Sequence, residues 1–162
     1  MNVMETKNLS NDRASSFSAI VLLRISMGVV YMWFGALKFF NGLSPAEQLA
    51  MYTIHKLTMG LINDHTSLLL LAILECLIGL LLITGKYVRV ALILLFPHML
   101  CTFAPFVFSP QETFRFAPYG LTLVGQYIIK NIVIISAAIV IWQDEKENET
   151  GILQRHNESG LI

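Results

Sequence analysis

The stretch LVGQYIIKNIVIISAAIVIW, residues 123–142, is almost wholly apolar. It is long enough to cross a bilayer as a helix, which takes about 20 residues at about 1.5 Å each. Yet Lys130 and Asn131 stand near its middle, and Gln126 lies one turn before them. A charge at the bilayer centre costs at least about 2.5–3.5 kcal/mol on insertion scales. Lys130 is therefore expected to face other helices and to meet a partner there.

Working outward, three more runs have the length of a span: 17–40, 67–84 and 87–108, with the fourth taken as 121–142. Hydrophobic residues make up 55% of the chain and charged ones 14%, where soluble domains carry about 25% charge. Backbone amides in lipid must bond within their own segment, so the spans read as helices. The expected fold is an all-α membrane protein, a four-transmembrane-helix bundle. The first run is too long for a cleavable signal, carries Arg24 and lacks a small-x-small cleavage site. A formal net charge of zero, with no basic patch interleaved with aromatics, gives no reason to expect a nucleic-acid partner. Cys76 and Cys101 form neither a disulfide framework nor a zinc pattern. They read as small buried residues or, on hairpin-linked helices, as a redox pair.

The connections differ. GKY, residues 85–87, is a tight hairpin; SPQETFRFAPYG, 109–120, and the longer segment 41–66 lie on the opposite side. Ser44, Pro45 and Glu47 have the pattern of a capping box with proline at the first helical position. They open an amphipathic external helix, 44–62, with Ala50, Ile54, Leu57 and Leu61 on one face. Ser109, Pro110 and Glu112 repeat the device. Both loops thus read as structured caps over the outer mouth, serving as interfacial anchors or as a lid. The polar ends, 1–16 and 143–162, read as cytoplasmic tails without fixed structure. Lys7, Arg13, Lys86, Arg89 and Lys146 on one side outnumber Lys38, Lys56 and Arg115 on the other, which puts both termini in the cytoplasm.

At about 100° per residue, Arg24, Gly28, Tyr31, Gly35 and Lys38 fall on one face of the first span. Small residues there permit close helix approach, and the charges keep that face from lipid. Glu75 with Gly79 marks the second span, His98, Cys101 and Pro105 the third, and Gln126, Lys130 and Asn131 the fourth. Counted from the cytoplasmic span ends, Arg24 sits at about 10 Å, Glu75 at about 14 Å and Lys130 at about 18 Å. Glu75 is then the one deep acid beside two deep bases, and is expected to pair with Arg24 or Lys130. That balance leaves room for an anionic or carbonyl-bearing ligand. The candidate ligand-binding set is Arg24, Tyr31, Lys38, Glu75, His98, Gln126, Lys130 and Asn131. A purely structural cluster that locks the helices together is the alternative. His98, Cys101 and Glu75 offer too few ligands for a metal site.

LLRISMGVVYMWFGALKFF (22–40) resembles the first helix of the DoxX-like membrane proteins, with Arg, Gly, Gly and Lys in order. LECLIGLLLITGKYVRVAL (74–92) resembles their second helix and hairpin, with a central glutamate and a closing glycine. The resemblance covers most of residues 20–142 and implies a four-helix bundle in the bacterial inner membrane. Some members resemble the small subunit of a thiosulfate:quinone oxidoreductase. Others are linked to redox-stress complexes with a thiol transferase and superoxide dismutase. Arg24, Lys38 and Glu75 match family positions, with no catalytic assignment attached. The loop at 44–63 departs from the shortest members.

Three functions follow as expectations. The first is a redox-linked component that contacts a quinone, carries no intrinsic cofactor and works with redox-enzyme partner subunits. The second is a small transporter or binding protein for a lipid-soluble or anionic metabolite. The third is a non-catalytic anchor for soluble partners.

Overall fold

The computed structural model describes residues 3–40, 42–44 and 47–159, with side chains for those within 19–151 and for residue 154. In chain order the elements are α1 (Val3–Leu37), α2 (Glu47–Leu57), α3 (Asp64–Thr84), α4 (Val88–Thr102), α5 (Pro105–Phe108) and α6 (Pro110–Thr113). Then come β1 (Phe114–Phe116), β2 (Gly120–Leu121), α7 (Leu123–Ile129) and α8 (Asn131–Ser159). Four segments among the described residues are long and apolar enough to span: Ala19–Leu37, Asp64–Thr84, Val88–Phe108 and Leu123–Gly151. The chain is a multi-pass, helical membrane protein.

α1 and α3 make the most extensive contact in the molecule, and glycines explain it. A Cβ placed on Gly79 would sit 2.6 Å from the Met32 amide nitrogen. One on Gly28 would meet Ile83, and one on Gly35 would meet Cys76 and Glu75. The glycine-lined face of α1 therefore lies backbone to backbone against α3, as its spacing predicts. α3 is closed at both ends. The Asn63 side chain accepts from the Thr66 amide at 2.7 Å, and Gly85 takes the left-handed conformation, φ +71°, with its N–H on Leu81 O.

This pairing sets a vertical offset. Gly35 lies level with Glu75 and Cys76, and α1 ends only two residues later at Leu37. From Glu75 back to Asp64, α3 continues about 16 Å further. α1 thus stops at the depth of mid-α3, and the remaining length of α3 is packed by α2. α2 is shorter than the 44–62 expected, because Met59 (φ +52°) and Gly60 (φ +77°) turn the chain. Its inward side is Leu49, Ala50, Thr53 and Ile54; Leu57 and Leu61 are exposed. The Glu47 carboxylate accepts from the Gly42 amide at 2.8 Å. Pro45, part of the expected capping box, lies outside the described residues. At the second device Ser109 is the N-cap and Pro110 follows it, but the serine hydroxyl makes no cap bond and the helix stops after four residues. An antiparallel hairpin, β1–β2, completes this loop.

The ends depart from expectation. α8 runs unbroken to Ser159, and α1 starts at Val3. A span that is already helical needs no new nucleus to extend, and Arg89 ties the extension down. Its guanidinium donates to Glu145 O at 3.4 Å and pairs with Glu149 at 2.5 Å. Asn148 bonds Asp144 one turn back. The core gathers Tyr31, Ile78, Leu82, Leu92, Leu95, Ala138 and Ile141 between α1, α3, α4 and α8.

Candidate functional site

Glu75 pairs with Lys38, not with Arg24 or Lys130. Lys38 Nζ donates to Glu75 Oε2 at 2.6 Å, and each side chain is 9% exposed. The same ammonium donates to Phe34 O at 3.3 Å. An ammonium has three protons, so one remains for another acceptor. His98 Nε2 stands 3.4 Å from Glu75 Oε1, and His98 Nδ1 is hydrogen-bonded to the Tyr31 hydroxyl at 3.4 Å. The Tyr31 and His98 rings meet edge to face, with centroids 5.8 Å apart. Lys38, Glu75, His98 and Tyr31 therefore form one connected chain across α1, α3 and α4. The offset of α1 explains it. Lys38, counted from the sequence at the outer end of its span, sits at the depth of Glu75.

The other bases go elsewhere. Arg24 donates to Leu82 O at 2.8 Å, satisfying one of the last four carbonyls of α3, which have no partner inside the helix. Lys130 is exposed, with its ammonium 5.3 Å from the centroid of the Tyr127 ring. The helix breaks there: Lys130 is a turn residue between α7 and α8. Gln126 is exposed too. Asn131, just past the break, points inward and donates to Thr102 Oγ1 at 2.9 Å.

Beside the four-residue chain lies a partly open cavity of about 370 Å³, within the range of about 300–1,000 Å³ usual for small-molecule sites. Tyr31, Lys38, Glu75 and His98 form its main polar group, and Asn131 and Thr102 line it as well. α2 contributes Leu49, Ala50, Thr53 and Ile54, so it covers the cavity as well as packing on α3. Much of the remaining wall is apolar: Val30 and Phe34 from α1, Leu123, Tyr127 and Ile128 from α7. Val30, Phe34, Leu123 and Tyr127 are exposed, so the cavity opens sideways, where lipid would stand. Thr53 and Thr102 were missed from the sequence. Thr102 lies one turn beyond His98 on α4, a spacing that marks it.

Cys76 and Cys101 are both free thiols. Cys76 Sγ lies 3.9 Å from Met32 O, and Cys101 lines the cavity. No group of three or more potential metal ligands occurs among the described residues.

The decisive comparison is with family models: the DoxX model matches residues 19–109, more than half of the chain. The chain belongs to the DoxX family. The matched stretch holds α1 from Ala19, α2, α3 and α4, and so every member of the Lys38–Glu75–His98–Tyr31 chain. No curated protein and no solved structure matches.

Proposed function

We propose that this DoxX protein binds a lipid-soluble, carbonyl-bearing molecule, a quinone, in the cavity beside Lys38, Glu75, His98 and Tyr31. The observation that carries the reading is the cavity's make-up: apolar walls open toward lipid, with a connected polar group inside. A quinone ring suits the apolar walls, and its carbonyl oxygens are acceptors that need donors. The uncommitted Lys38 proton supplies one, and the Asn131 amide, which also lines the cavity and has a second proton beyond the one it gives to Thr102, supplies another. The quinone would bring the electron chemistry; the chain's residues hold and orient the ring and keep water from it. A redox-stress or oxidoreductase partner would then exchange electrons with the bound ring.

An anionic metabolite fits less well. The formal charges of Lys38 and Glu75 cancel, while Arg24 and Lys130 lie outside the cavity lining. The positive surplus expected from the sequence is absent from the site. The proposed setting is the bacterial inner membrane with both termini cytoplasmic. The Lys/Arg bias supports that orientation, with Lys86, Arg89 and Lys146 at one end of the bundle. The test is extraction and mass spectrometry of small molecules that co-purify in mild detergent. A retained quinone is the expected result; a retained polar anion in its place would overturn the reading.

A further inference from the structure

A second cavity, of about 160 Å³, lies between α1 and α8, lined by Ser26, Met27, Val30, Tyr31 and Ile134. Val30, Tyr31 and Ile134 also line the first cavity, so the two adjoin along one seam. The seam exists because α1 spends its small residues on the other side. Gly28 and Gly35 seat it tightly on α3, while α8 is met through larger side chains and far less extensively. Loose packing beside a wall of Met, Val and Ile leaves a groove rather than a contact. Its far end, at Ser26, is exposed. The two cavities thus lie side by side, one at the polar group and the other apolar and reaching the side of the bundle at Ser26, with Tyr31 shared between them.

A compact solute has no use for this groove, which is almost without polar groups. A linear apolar chain attached to a head in the first cavity matches its apolar lining and its exposed end. From this adjacency we infer that the ligand is an amphiphile whose apolar chain lies in the α1–α8 groove while its carbonyl-bearing head sits by Lys38 and Glu75. The inference rests on the binding reading above and adds the class of ligand: a tailed quinone rather than a bare ring.

The test compares two probes, a benzoquinone carrying a decyl chain and the same ring carrying only a methyl group. Each is titrated by equilibrium dialysis against full-length protein in matched detergent micelles. Ser26→Phe fills the groove from an exposed position that lines only the second cavity. Val29→Phe adds the same bulk at an exposed residue lining neither cavity, and controls for folding and micelle effects. Wild type is expected to bind the decyl probe more tightly. Ser26→Phe should lose that preference with methyl-probe binding unchanged, and Val29→Phe should keep both. Retention of the preference in Ser26→Phe, or equal binding of both probes by wild type, overturns the groove assignment and leaves the binding site standing. The latter result would also come from a membrane lipid's acyl chain filling the groove. Failure of wild type to bind either probe overturns both readings.

Discussion

Replacing Glu75 by Gln keeps its shape and removes its charge, leaving the Lys38 ammonium without its carboxylate in a site where each side chain is 9% exposed. Breaking a buried pair by removing one partner costs about 3–5 kcal/mol, mostly because the other charge stays buried and uncompensated. Lys38→Met leaves the opposite orphan and should cost a similar amount. The double variant Glu75→Gln/Lys38→Met has no orphan charge and should recover much of the loss. Residues coupled this way show interaction energies of about 0.5–3 kcal/mol, and this pair belongs in the upper half of that range. The assay is unfolding in detergent, run as three cycles: Glu75 with Lys38, with Arg24 and with Lys130. Coupling should be large in the first and small in the other two, since Arg24 bonds Leu82 O and Lys130 is exposed. Additivity within about 0.5 kcal/mol in the Lys38 cycle, or stronger coupling to Arg24 or Lys130, would refute the pairing.

Gly79→Ala should lower stability by about 1–3 kcal/mol through overpacking, because its methyl would lie 2.6 Å from the Met32 amide nitrogen; an unchanged midpoint would contradict the close α1–α3 approach. Thr102→Val should cost about 0.6–1.7 kcal/mol, the range for interhelical polar bonds in membranes, by removing the Asn131 partner; loss of protection from exchange at residues 129–133 would accompany it. Arg89→Ala should loosen the end of α8, costing at most about 1 kcal/mol for so exposed a pair, with faster amide exchange at residues 145–151 as the readout. Cysteines placed at positions 116 and 150 of a cysteine-free chain should label from outside and inside the cell respectively; external labelling at 150 would reverse the proposed orientation.

The spans were legible because hydropathy and the 3.6-residue period act locally. The α1 stripe was legible for the same reason, since Gly28, Gly35 and their polar neighbours share a face and that face meets α3. The partner of Glu75 was not. Its choice depends on how far one helix slides along another, and that is fixed by where Gly28, Gly35 and Gly79 interlock. Assuming that each span crosses the whole bilayer put Lys38 at an interface, when α1 in fact ends level with mid-α3. Lys130 was misdirected by a different cause. Gln126 and Lys130 share a face, as their spacing predicts, but that face is exposed: the side of α7 that meets the bundle is the one with Gly125 and Ile128, which are buried. The helical C-terminal extension was hidden because its polar composition reads as tail, while its anchors are tertiary: Arg89 on Glu145 and Glu149.

The most direct test of the quinone site is photo-crosslinking with an azido-benzoquinone, followed by peptide mapping. Adducts are predicted on the segments 30–38, 71–75 and 98–102, all competed away by unlabelled quinone, and lost in the folded Glu75→Gln/Lys38→Met variant. Adducts confined to the outer faces of the bundle, or labelling that unlabelled quinone does not compete, would contradict the account.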